Sequence, residues 1–121
     1  MTEQKPAALS SEVASEGAKS ADAPAGTFDG SRRKVPLLET LSIRHVESAD
    51  GRAVFTITVE EKHCRTMGLL HGGVTATLLD TCMGYAAVSV APPGHYVVTV
   101  QLNVNFTRPV KLGDTLRAEG T

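Results

Sequence analysis

The spacing of apolar and polar positions changes several times along this chain, and the changes divide it into elements. Residues 1–34 show no period; they are rich in Ala, Ser, Glu, Lys, Gly and Pro, with a lone Phe28. Such a segment buries too little apolar surface to offset its ordering entropy, so a disordered tail is expected. Arg32, Arg33 and Lys34 close it as a solvated charge run. Order is expected from Val35, where Leu41 and Ile43 alternate with polar neighbours in a modest strand signal. Asp50-Gly51 signals a turn. After it, Ala53, Phe55, Ile57 and Val59 alternate with Val54, Thr56, Thr58 and Glu60, which describes a strand with one apolar face. Glu61 to Leu70 reads as a loop. Gly72-Gly73 then opens a helix expected over Val74 to Val90, apolar around most of its circumference and therefore buried. Pro92, Pro93 and Gly94 stop it.

The clearest strand signal follows, over 97–107. Val98, Val100, Leu102, Val104 and Phe106 face one way; Thr99, Gln101, Asn103, Asn105 and Thr107 face the other. Pro109 breaks the pattern, Lys111 to Asp114 turns, and a last strand runs from Thr115 to Gly120. The order strand, strand, buried helix, strand, strand describes one α+β domain over 35–121. Four strands wrap so apolar a helix thinly, and the last has barely begun at Thr121, so the domain is expected to be incomplete at its C-terminus.

Composition narrows the classes. A chain of 121 residues with 41% hydrophobic content suits one globular domain. A net charge of −1 gives no global case for nucleic acid. No apolar run approaches the roughly 20 residues of a membrane span. The N-terminus lacks a basic segment followed by an apolar one, and Glu3, Glu12, Glu16 and Asp22 argue against an acidic-poor transit peptide. Cys64 and Cys82 form no CxxC pattern, so neither a disulfide framework nor a zinc site is expected, and Cys82 reads as a small buried hydrophobe. A reducing cytoplasm is the default compartment. His45, His63 and His95 share no spacing and read as ordinary loop or strand residues; no metal set emerges.

The candidate chemistry lies in GLLHGGVTATLLD, Gly68 to Asp80. Asp80 is a lone carboxylate in an apolar helical run, and carboxylates are rarely buried without a partner or a task. Burial would raise its pKa and make it a better base near neutral pH. The bland alternative is a partner for a buried Arg or a backbone donor. At the helix start, free N–H groups and the helix dipole favour negative charge near Gly72 and Gly73. His71 and Asp80 are 80 − 71 = 9 residues apart. At about 100° per residue they face opposite sides of one helix. If both are functional, a dimer in which each site takes one from each subunit is the natural solution.

Gly68 through Gly73, Leu78-Leu79-Asp80, the strand Val98 to Phe106, and Arg108-Pro109 with Gly113-Asp114 together resemble the hotdog-fold acyl-CoA thioesterases of the phenylacetate-pathway type. The resemblance covers roughly 35–121. It implies a long helix wrapped by a curved antiparallel sheet, with further C-terminal strands, in homodimers or homotetramers whose sites lie between subunits. It implies hydrolysis of acyl-CoA to free coenzyme A and a carboxylic acid, with no metal or other cofactor. Asp80 would be general base or nucleophile, and the Gly72 N–H the oxyanion donor, with Gly73 giving the substrate room. His71 would orient the substrate, against the plain reading of a helix-cap histidine. Thr99 would help orient the attacking water. Arg108 and Lys111 would meet coenzyme A phosphates, as could Arg65. Relatives commonly carry Asn at the position of Arg65, and a charged guanidinium does not replace an amide. Two other readings remain: a hotdog hydratase or dehydratase, and a non-catalytic acyl-CoA binding module.

Overall fold

Asp50 and Gly51 both have positive φ, 51° and 79°. That pair of left-handed residues makes the two-residue hairpin turn whose twist matches the strands it joins. The strands are β1, Arg44–Ala49, and β2, Arg52–Thr58, and Ala49 stands opposite Arg52. The computed structural model describes residues 35–121. The tail expected over 1–34, with Phe28 and the cluster Arg32, Arg33 and Lys34, lies outside the described residues.

The hairpin, the helix and the last strand form where the apolar pattern places them. β3, Thr115–Gly120, pairs antiparallel with β2, so the sheet order is β1-β2-β3 with β2 central. Ala53, Phe55, Ile57 and Val59 are buried, as the alternation requires; Val54 is buried as well. Helix α2 spans Gly72–Val88, two residues earlier at each end than the apolar pattern suggests. It starts early because His71 caps it. It ends at Val88 because the Ser89 hydroxyl donates to the Ala86 carbonyl at 2.7 Å and accepts the Gly51 N–H at 2.8 Å. The second bond ties the helix end to the hairpin turn.

Three expectations need correction. Leu41 and Ile43 are not in a strand. Pro36 pre-sets the first turn of a short helix, α1, Pro36–Thr40; Ser42 at φ 53° then redirects the chain, and β1 begins only at Arg44. The helix α2 is not buried all round. Only Val74, Leu78, Cys82 and Ala86, four residues apart, are buried; its remaining faces are mostly half-buried. Finally, the strand expected at 97–107 has no ladder among the described residues. A period of two describes side-chain direction, but a strand also needs a hydrogen-bonded neighbour, and none runs beside this segment. Val98, Val100 and Phe106 are consequently exposed.

The loop before α2 is better ordered than its composition suggests. It contains two single turns, Glu61–His63 and Thr66–Gly68. His63, read from sequence as ordinary, is only 1% exposed. Its Nδ1 accepts the Glu60 N–H at 2.9 Å, which leaves Nε2 to donate to the Leu41 carbonyl at 2.8 Å. Its own carbonyl accepts the His71 N–H at 2.9 Å. No helix among the described residues is long and apolar enough to cross a membrane.

β3 lies very close to α2 at Gly120, where an added Cβ would stand 3.1 Å from the Cys82 carbonyl oxygen and 3.2 Å from Met83 Cα. These are backbone atoms and cannot rotate away. Gly120→Ala is expected to cost about 1–3 kcal/mol, read as a lowered urea midpoint. At the surface, Glu119 accepts from Arg52 and Arg117, each at 2.7 Å, and Arg52 also pairs with Glu47. The two guanidiniums hold the Glu119 carboxyl down to about 2 from an ordinary 4.5, Arg52 contributing first. A depressed carboxylate contributes stability above its unfolded value and loses it as pH falls. Tm should therefore drop from pH 4.5 towards 2, less steeply in Glu119→Gln and in high salt.

Candidate active site

The start of α2 and its middle supply two separate groups of polar atoms. At the start, His71 is extended, with φ −70° and ψ 131°, and its Nδ1 accepts the Gly73 N–H at 2.9 Å. The Val74 N–H donates to the His71 carbonyl at 3.0 Å. The Gly72 N–H meets no acceptor among the described residues. It is one of the donors that a helix cannot satisfy from within, and it lies at the positive end of the helix dipole.

The two glycines lie close to different neighbours. A Cβ on Gly72 would lie 3.3 Å from the edge of the Phe106 ring. A Cβ on Gly73 would lie 3.0 Å from His71 Nδ1. The Gly73 amide is thus already used within the chain, whereas that of Gly72 is left without an acceptor among the described residues.

A cavity of about 340 Å³ opens beside Gly72, lined among others by Arg65, Leu69, Thr75, Phe106 and Arg108. A second, of about 310 Å³, adjoins it and is mainly apolar, with Leu78, Leu79, Val110, Leu116 and Ala118 in its wall. Phe106 lines both. The sequence reading assigns Phe106 only to a strand face; its place over Gly72 depends on a contact 34 residues away (106 − 72). Arg65 and Arg108 are exposed on the first cavity. Lys111 is bridged to Leu69, and its N–H donates to the Asp114 carboxylate at 2.9 Å. Its side chain does not line that cavity.

In the middle of α2, Asp80 is half-buried rather than enclosed, so desolvation by this chain alone is partial. The Thr99 hydroxyl donates to Asp80 Oδ1 at 2.5 Å. This leaves Oδ2 for another partner. Asp80 is 80 − 72 = 8 residues beyond Gly72, roughly 12 Å along the helix axis at about 1.5 Å per residue. An oxyanion donor and a base must both reach one carbonyl group within hydrogen-bonding distance. One helix cannot supply both to the same carbonyl. Among the described residues no group of His, Cys, Asp and Glu could hold a metal ion.

Comparison with known proteins finds likenesses to thioesterases. Residues 67–121 match the thioesterase superfamily. The chain is similar to human acyl-coenzyme A thioesterase 13, 37% identical over 73 residues, which is 59% of this chain and 50% of that protein. It thus spans about half the length of the curated relatives it first matches. Among solved structures it is similar to the PaaI protein of the phenylacetic acid degradation operon of Escherichia coli. That likeness has a TM-score of 0.64 and 32% identity, over 70% of this chain and 59% of the other. It is also similar to a hypothetical thioesterase protein with coenzyme A from Streptococcus pneumoniae, at TM-score 0.57 and 30% identity, over 64% and 58%. The helix on an antiparallel sheet is the α+β hotdog arrangement that these neighbours share.

Proposed function

We propose that the chain is an acyl-CoA thioesterase, cleaving an acyl-CoA into free coenzyme A and a carboxylic acid, a reading supported by the match of residues 67–121 to the thioesterase superfamily and by the likeness to the PaaI protein. The observation that carries this reading is the open amide of Gly72 at the start of α2, which meets no acceptor among the described residues, on the same helix as a carboxylate already held by a hydroxyl. The first fits a developing oxyanion and the second fits an attacking water.

The steps follow from those two groups. The thioester oxygen accepts from the Gly72 N–H, and negative charge gathering there is favoured by the helix dipole. Water attacks the carbonyl carbon while Asp80 takes its proton. Thr99 occupies one carboxylate oxygen and turns the other to the water. The tetrahedral intermediate collapses, the carbon–sulfur bond breaks, and the thiolate of coenzyme A leaves and is protonated. Alternatively Asp80 attacks the carbonyl itself, the carbon–sulfur bond breaks as the coenzyme A thiolate leaves and is protonated, and water then hydrolyses the resulting mixed anhydride to the free acid and the Asp80 carboxylate. Neither route draws on a metal or on any cofactor besides the coenzyme A of the substrate. His71 positions the helix start, and Gly73 gives it room. Arg65 and Arg108, with Lys111 nearby, offer cationic contacts for the phosphates of coenzyme A.

Because Gly72 and Asp80 of one chain are too far apart to meet on one carbonyl, each site is assembled from two copies, in a homodimer or a pair of homodimers. The two free thiols, Cys64 and Cys82, are compatible with a cytoplasmic location. Cys82 is held above the ordinary thiol range by burial, which slows its oxidation.

Thiol release from a panel of acyl-CoA thioesters tests the proposal. Asp80→Asn is expected to lower kcat by about 100-fold or more. Gly72→Pro deletes the amide hydrogen at the first helical position, where proline is tolerated, and should lower kcat by roughly 100- to 1000-fold. Thr99→Val should lower it by about tenfold, with little change in KM. An Asp80→Asn variant that keeps most of its turnover would refute the assignment of the carboxylate.

A further inference from the structure

His71 is where two readings of the sequence meet, the substrate-orienting residue and the helix cap. Its Nδ1 accepts the Gly73 N–H at 2.9 Å. A ring nitrogen that accepts carries no proton, so in the neutral ring the proton sits on Nε2. The same bond withdraws the second amide of α2, while the Val74 amide is withdrawn by the His71 carbonyl. The Gly72 amide is left as the open donor. The glycine at 73 fits this arrangement, because a side chain there would stand 3.0 Å from the ring nitrogen. The backbone of His71 is fixed in turn, its N–H donating to the carbonyl of the buried His63 at 2.9 Å.

We propose that His71 is a positioning residue that acts through the helix. Its Nδ1 cap on Gly73 fixes the first turn of α2, so that the Gly72 amide alone is presented to the thioester oxygen, and the ring is held as the Nε2–H tautomer. The second glycine of His-Gly-Gly therefore serves the cap and does not touch the substrate. This rests on the thioesterase reading given above, and it differs from a direct role in which the ring itself binds or protonates the substrate.

Two substitutions in the full chain separate these roles. Asn is a good N-cap and its side-chain oxygen can accept the same amide, but it has no imidazole. Ala removes both. His71→Ala is expected to lower kcat by about tenfold with KM nearly unchanged, since a misaligned oxyanion donor weakens the transition state more than the ground state. His71→Asn should recover most of that loss. Equal impairment in the two variants would overturn the proposal in favour of direct ring chemistry; an unimpaired His71→Ala would overturn it and exclude direct ring chemistry as well.

Two NMR readouts do not depend on turnover. Nitrogen-15 shifts of His71 should report the Nε2–H tautomer. Amide exchange at Gly73 should be slow in the wild type and in His71→Asn, and fast in His71→Ala. An Nδ1–H tautomer, or exchange at Gly73 indifferent to His71, would overturn the cap. If the wild type released no thiol from any acyl-CoA, the thioesterase reading would fall, and the exchange data would still decide the cap.

Discussion

The buried stripe of α2 is the constraint on which the site geometry depends. Val74, Leu78, Cys82 and Ala86 hold one line of the helix against the sheet, in one core with Phe55, Ile57 and Ala118. Once that line is fixed, every other position on α2 is fixed around it. Asp80 is two residues from Leu78 and two from Cys82, about 200° round the axis. It therefore points away from the sheet, towards the segment that carries Thr99. Gly120 tightens the arrangement, because β3 can approach the helix backbone only where no side chain intervenes. The thiol of Cys82 donates to the Ala53 carbonyl at 3.2 Å across the same interface.

The second constraint is the route by which the chain reaches the helix. His63 is buried and uses both ring nitrogens and its carbonyl to hold Leu41, Glu60 and His71 together. Beyond it the backbone turns through Met67 and Gly68, both at positive φ. Cys64 bridges to Leu70 and Leu69 to Lys111. The helix start is thus placed by a braced loop. In the proposed thioesterase that bracing would make the open amide useful, since an oxyanion donor works only if it does not have to reorganise during the reaction.

What could be read in the sequence was local. Asp50-Gly51 demanded a particular turn, the alternation from Ala53 to Val59 demanded one buried face, and the apolar run from Val74 to Val90 demanded a helix, which forms two residues earlier at each end; each was settled by neighbours within a few residues. The candidate residues at the helix start and at Asp80 were legible for the same reason, as polar exceptions in an apolar run. The rest depended on distant partners. The segment 97–107 has the alternation of a strand and no neighbour to pair with among the described residues. Leu41 and Ile43 alternate, but Pro36 and Ser42 decide the backbone there. The burial of His63 depends on a carbonyl 22 residues away, and the contact of Phe106 with Gly72 on a tertiary approach that no local pattern encodes.

The geometry of α2 also makes a demand of its own. An open amide at its start and a carboxylate eight residues on cannot act on one carbonyl, so in our reading the two halves of each site come from different copies of the chain. Mixing two inactive variants tests this most directly. One, Asp80→Asn, keeps its helix start, and the other, Gly72→Pro, keeps its carboxylate. In a hybrid dimer, one of the two sites receives both intact halves. Thiol release from an equimolar, re-equilibrated mixture should rise to about a quarter of the wild-type rate by random pairing, where each variant alone is nearly silent. A mixture that is dimeric and exchanged, yet no more active than its components, would contradict the account and place both groups of each site within one chain.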